Sequence, residues 1–321
     1  MKTSRLFYFL AYSINAGFKI MKKLVCLLFL AIFICSTLVA QQAPDTTFTP
    51  KVSEPTYELG KGPVICIDSA HNNFHTLNGG FAPFARLVRA NGFRVKDLDK
   101  TIVDKGVLSG CDIYAVINAL NEVNLGNWKL PNPSAFEKDE ILAINDWVSD
   151  GGALFIVADH MPFAGAASEL VKTFGFDFRN GFTYLDKEEN KPDLFSIENG
   201  RLENIELLDA GINSITSFTG SAFTYPKEAK VLMILNEKDY SLEPEVAWQF
   251  TEETSRISLG NHAQGAFLNY KKGKIAVFGE AAMFTAQIVT RPTRTFNIGF
   301  TSPSAPNNQR FALRLMEYLS N

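Results

Sequence analysis

From Pro63 to about Phe174 the chain alternates short apolar runs with stretches of helical period, and that alternation limits the folds open to it more than any other feature. The run at 64–68 is short and apolar almost throughout, which predicts a strand covered on both faces. A helix is expected over 80–91, with Phe81, Phe84, Ala85, Leu87 and Val88 on one face, followed by strands at 93–96 and 112–118. A second helix is expected over 134–149, where Ile141, Ile144, Trp147 and Val148 recur at helical spacing. Gly151-Gly152 ends it and launches a strand at 153–158, and a third helix follows over 164–174. Strands that alternate with helices bury each strand under its neighbours, so the expectation is an α/β domain with a parallel sheet and helices on both faces.

The rhythm is lost in the second half. Residues 182–195 are charged and interrupted by Pro192, and only short β-like runs follow, at 214–218, 229–235 and 256–259. These predict a β-rich insertion over about 180–265 together with strands at the sheet edge. Ala266 to Tyr270, the turn Lys271-Lys272-Gly273 and Lys274 to Gly279 predict a hairpin. A last helix runs from about Asn307 to Leu319, with Asn307 or Asn308 as its expected cap. No internal repeat is visible.

The first forty residues are set apart as an export segment. Met21-Lys22-Lys23 gives a positive start, Leu24 to Ile34 an apolar centre, and Leu38-Val39-Ala40 a small-residue cleavage site before Gln41. Met21 reads better than Met1 as the start, which makes residues 1–20 an upstream extension. Residues 41–62, rich in Pro and Thr, read as a linker, and 63–321 as the domain. The alternative to cleavage is an N-terminal membrane anchor. Of the 31 Lys and Arg, five lie within 1–40 and none of the 34 Asp and Glu do, so the remainder carries 26 against 34, a formal charge of -8. That balance disfavours nucleic acid as a partner. Only Cys66 and Cys111 remain after export; two thiols make no disulfide framework, and both read as buried small hydrophobes.

All four histidines fall where a loop begins after an apolar run. His71 and His75 lie in Asp68-Ser69-Ala70-His71-Asn72-Asn73-Phe74-His75, His160 follows Asp159, and His262 ends Gly260-Asn261-His262. Open α/β sheets bind ligands at the carboxyl ends of their strands, so these groups are expected to converge there. Asp68, His71, His75 and His160 are the candidate ligands of a divalent metal such as zinc, which takes imidazole and carboxylate donors and keeps one position open for water. Asp159 and Glu280 are the candidate proton-transfer groups, and Asn72, His262 and Arg291 the candidate substrate contacts. The competing reading is that loop histidines hydrogen-bond backbone and strand-end acids cap turns. Trp128, Trp147 and Trp248 read as core or surface anchors rather than as a carbohydrate platform. No GxSxG, GxGxxG, GxxxxGK[ST] or HExxH occurs, so the esterase-elbow, dinucleotide, P-loop and zincin readings lack their signatures.

The order of Asp68 to His75, Gly151 to His160, Gly273 to Glu280 and Asn308 to Leu319 resembles the DUF4350 group of class I glutamine-amidotransferase-like domains over most of the exported chain. The resemblance implies a flavodoxin-like three-layer sandwich with a mostly parallel sheet, in the neighbourhood of trehalose-utilisation (ThuA-like) and gliding-motility-associated domains. It implies no reaction. Amidotransferases of that fold carry a nucleophilic Cys on a sharp strand-to-helix turn; here the comparable turn is Ala158-Asp159-His160, without a thiol. The expected function is an exported hydrolase, metal-dependent or not, acting on a small polar or carbohydrate-derived substrate. The alternative is a non-catalytic ligand-binding or structural envelope module of the same fold.

Overall fold

The computed structural model describes residues 41–189, 191–205 and 211–321. The expected export segment lies outside the described residues. Gln42–Val289 and Phe296–Asn321 form one compact unit, and the account below concerns it; Gln41 and Thr290–Thr295 belong to a second.

A nine-stranded mixed sheet organises the domain. Its strands are β1 (Val64–Asp68), β2 (Arg94–Leu98), β3 (Ile113–Ile117), β4 (Ala153–Val157), β5 (Asp177–Arg179), β6 (Ala222–Thr224), β7 (Lys230–Ile234), β8 (Ala263–Tyr270) and β9 (Gly273–Phe278). Their spatial order is β2-β1-β3-β4-β9-β8-β6-β5, with β7 also paired to β8. The first five run parallel, in register from Ile65↔Val95 and Ile65↔Ile113 through Val157↔Ile117 and Val157↔Phe278. The sheet turns antiparallel at β9, because the turn at Lys271 (φ 52°) sends β8 into β9 as a hairpin with Tyr270 opposite Gly273. β6 and β7 then pair antiparallel with β8, and β5 with β6. The architecture is therefore mixed α/β, five parallel strands extended by antiparallel ones. At the two ends of the order stand β2, with Arg94, Lys96 and Asp97 exposed, and the three-residue β5.

Alternation along β1, β3 and β4 sorts their side chains onto two apolar faces. One face joins Ile65, Ile67, Phe155, Val157 and Phe278 to helices α1 (Ala82–Ala90) and α4 (Asn308–Ser320). The other joins Tyr114, Val116, Leu154, Ile156 and Val277 to α2 (Lys138–Ser149) and α3 (Phe163–Lys172). Both faces of β1, β3 and β4 are thus dry, which explains their almost unbroken apolar composition. Pro83 starts α1, a position where the missing N–H is no loss. In α2, Glu140 reaches back to accept the Glu137 N–H at 2.9 Å.

Several expectations change in three dimensions. The segment 180–265 is less separate than an insertion: it supplies β6 and β7 to the main sheet, a three-stranded sheet (Phe182–Tyr184, Tyr240–Glu243, Ser255–Ser258) and the ribbon of Asp193–Ser196 with Ser214–Ser217. The stretch expected as a linker lies against the domain, since Phe48 is buried beside Phe300 and Tyr57 sits edge-on to Phe93. Cys66 and Cys111 form a disulfide rather than packing as separate thiols, with Cα atoms 5.7 Å apart. Strand register alone, with Ile65 beside Ile113, would set Cys111 opposite Pro63; the turn before β3 departs from it and brings Cys111 within the span a bridge to Cys66 needs. Asn307 does not cap α4 with its side chain. Asn308 instead binds Thr216 through both its carbonyl and amide groups, tying the helix start to the ribbon.

Candidate functional site

The carboxyl ends of the parallel strands carry three polar groupings, and they do not merge into one. The first is centred on His71. Asp68 ends β1 on the α2 side of the sheet, and the following turn returns His71 so that Nδ1 lies 2.9 Å from both Asp68 carboxylate oxygens. Nε2 lies 3.1 Å from Glu140 Oε1. Glu140 also accepts the Ile102 N–H at 2.8 Å, and the His71 ring packs on Phe136. Two carboxylate acceptors require both ring nitrogens to donate, so the arrangement suits an imidazolium between two anions. Burial alone would lower the imidazole, but the hydrogen bond and charge of Asp68, then Glu140, outweigh it and hold His71 above its ordinary value. Burial raises the Glu140 carboxyl, and the Glu137 and Ile102 N–H groups with His71 more than reverse it, leaving it lowered. Tyr114, buried on the same side, is pushed well up, by burial first and then by Asp68.

The second grouping is Asp159 with Glu280. Val157 of β4 is in register with Phe278 of β9, so residues two further on leave neighbouring strands at the same level. Glu280 is fully buried and accepts the N–H groups of Ala282 at 2.7 Å and Met283 at 2.8 Å. Asp159 accepts its neighbour's amide, from His160, at 3.2 Å. Asn118, held at φ 51° just past β3, receives the Asp159 N–H on its Oδ1 at 2.9 Å. Burial raises both carboxyls; for Glu280, which stands well above its usual range, the charge of Asp159 adds to the effect. The charge of Asp159 thus disfavours ionisation of Glu280. Gly220 (φ 119°) makes the close approach possible, because a Cβ there would meet the Gly279 carbonyl and lie 2.9 Å from Glu280 Cβ.

The third grouping is an aromatic rim around His160. Its ring stacks on Phe182 with centroids 4.4 Å apart and planes 13° apart, and Trp248 meets it edge-on at 4.7 Å. Trp128 and Phe163 stand at 6.1 and 6.0 Å, and Phe74 bridges Trp128 and His75. His160 Nδ1 is bound to the Met161 carbonyl at 2.6 Å, and burial lowers its pKa. Trp248 is 51% exposed, Phe74 53% and Phe250 37%. Trp248 also holds φ 67°, the left-handed region that a bulky residue rarely enters.

The remaining candidates are dispersed. His75 is buried between Phe74 and Phe81, its Nδ1 has no partner, and burial lowers its pKa to about 4. Asn72 is exposed at φ 48° and donates to the Leu120 carbonyl at 3.3 Å. His262 stands at the same rim, just before β8, and closes its own turn through Nδ1 to the Gly260 carbonyl at 3.0 Å. Arg291 ends the strand Ala286–Arg291 and is exposed; it belongs to the other unit. The expected metal set of Asp68, His71, His75 and His160 does not fit a shared ion. Among the described residues no three His, Cys, Asp or Glu are placed to hold one, and both His71 nitrogens are already engaged by carboxylates. Sequence reasoning missed Glu140, Asn118 and Phe182. Only Glu140 left a trace, as the acid three residues after Glu137 at a helix start.

No family model and no curated protein matches this chain. Among solved structures it is similar to the mmIFT52 N-terminal domain, at 15% identity and a TM-score of 0.55, over 80% of this chain and 97% of that one. A ThuA-like protein from Bacteroides uniformis aligns at 11% identity and a TM-score of 0.42, over 84% of this chain and 94% of that one. The cytoplasmic protein STM1381 from Salmonella typhimurium LT2 aligns at 11% identity and a TM-score of 0.43, over 80% and 99%. At these identities the first likeness speaks to the fold alone.

Proposed function

We propose that the chain is an exported protein that binds a small polar or carbohydrate-derived ligand against the aromatic rim around His160. One observation carries the reading: Trp248 is half exposed, stands at φ 67° and packs edge-on to His160. A bulky residue persists in that backbone region only where its surroundings enforce it, and such strain clusters at ligand clamps. Aromatic faces above a few polar groups also make the usual surface for holding an amphipathic ring. The Cys66–Cys111 disulfide supports export, because such bonds persist in oxidising compartments. The parallel strand order β2-β1-β3-β4-β9 is the doubly wound order of flavodoxin-like sheets, with its switch point beside β1. It supports the finer reading of a thiol-less relative of the class I glutamine-amidotransferase-like domains, of DUF4350 type.

The test is a titration of the protein with mono- and oligosaccharides, read by tryptophan fluorescence and calorimetry. Trp248→Ala is expected to abolish binding with the melting temperature unchanged. Binding that survives this substitution, or a wild type that answers to no sugar, refutes the reading and leaves the structural envelope role. Hydrolysis is a second reading, favoured by the Asp159–Glu280 pair, since a carboxyl held protonated by burial and a neighbouring acid can donate a proton. Turnover of chromogenic glycosides or esters that Asp159→Asn abolishes while sugar binding remains supports it; no turnover by the wild type removes it.

A further inference from the structure

We infer that the rim is one end of an extended binding groove for a neutral chain of sugar rings, with a second subsite in the cleft beside Lys129 and Glu245. This rests on the rim reading above and names the ligand's length and charge. The two segments that present the indoles are zipped together: Ala247 N–H donates to the Trp128 carbonyl at 2.8 Å, Lys129 bridges to Val246, and Leu130 N–H donates to the Glu245 carbonyl at 2.9 Å. Directly along this ribbon from Trp128 and Trp248 opens a cleft of about 650 Å³, lined by Lys129, Leu130, Pro131, Asn132, Asn180 and Glu245. Sites for small molecules fall in this size range.

The lining decides the chemistry. Leu130 is 47% exposed and, with Pro131, offers apolar surface suited to the face of a pyranose. Lys129 and Glu245 are exposed and supply one positive and one negative group that bind hydroxyls without net charge. The cleft floor is preformed, because Asn180 joins Asn132 at 2.8 Å and receives the Gly165 N–H at 3.0 Å. Floor groups already fixed in place lose little freedom on binding, which favours a rigid ligand. An acidic glycan is disfavoured by the formal charge of -8 on residues 41–321. A polyol chain with alternating apolar faces and hydroxyl edges fits both the aromatic end and the mixed cleft.

The experiment is calorimetric titration of the full chain with cello- and chito-oligosaccharides, each from the monosaccharide to the hexasaccharide. Affinity is expected to rise by roughly tenfold or more between the monosaccharide and the trisaccharide and then to level off, a step of the size a second occupied subsite gives. Lys129→Ala and Glu245→Ala, both at exposed positions, are expected to remove that rise and leave monosaccharide binding unchanged. Trp248→Ala is expected to abolish binding of every member of the series. Equal affinity for all lengths, with binding still lost in Trp248→Ala, overturns the cleft and leaves the rim. No binding by any sugar overturns both. A proline-rich peptide that binds through Lys129 and Glu245 where the sugars do not overturns the inference in favour of a peptide groove.

Discussion

Replacing both bridged cysteines, Cys66→Ala with Cys111→Ala, tests what the bridge contributes to the fold. The bond closes a loop of 45 residues. In the chain-entropy account, releasing a loop of that length from the denatured state costs about 4 kcal/mol at 25 °C. With urea m-values of about 2–3 kcal/mol/M for a domain of this size, the midpoint should fall by about 1.3–2 M. Equilibrium unfolding in urea, followed by tryptophan fluorescence, measures it. Wild-type protein purified under oxidising conditions is expected to match the variant once a reductant is added. The slope should rise rather than fall, since the uncrosslinked denatured chain is less compact and exposes more surface. Two midpoints within about 0.3 M of each other would refute the argument. So would two titratable thiols at these positions in the folded, oxidised protein.

Three further outcomes follow from the buried groups. His71→Ala leaves Asp68 and Glu140 buried without their cation and should cost about 3–5 kcal/mol, as breaking a buried pair does. In the wild type, the raised His71 pKa gives stability that is complete below its unfolded value of about 6.5 and lost as pH rises through the folded one, and the lowered Glu140 pKa gives stability complete above its unfolded value and lost on acidification; the variant's melting curve against pH should therefore lack the fall above pH 6.5. Asp159 is raised by burial, so its ionisation opposes folding as pH rises through the unfolded value; Asp159→Asn should raise the melting temperature at pH 8 relative to pH 4, and a fall at pH 8 would count against a buried carboxyl pair. Gly220→Ala places a Cβ against the Gly279 carbonyl and next to Glu280, and should destabilise by more than about 1 kcal/mol in urea unfolding.

The parallel half was legible because its signals are local. Strands β1, β3 and β4 are apolar runs covered on both faces, and helices α1 and α2 carry their buried residues at the spacing the sequence displays. The antiparallel half was less so, because a three-residue strand such as β5 or β6 has too few positions to show a period. At the site, the strand-end acids Asp159 and Glu280 could be placed, since each closes an apolar run. The partners that decide their chemistry could not: Glu140 lies 69 positions from His71, and nothing near either residue predicts that both ring nitrogens are taken. Phe182 and Trp248 reach His160 from a segment whose own pattern is irregular. The disulfide was missed for the same reason, its halves lying 45 positions apart and meeting only through the turn before β3.

The guarded margins of the nine-stranded sheet set how this molecule can join others. β2 shows Arg94, Lys96 and Asp97 to solvent, and β5 offers only three residues, so neither presents the long, flat, uncharged backbone that templates addition of a foreign strand. Growth of the sheet by strand addition is therefore disfavoured at both margins, and with it the fibril-like stacking that an open edge invites.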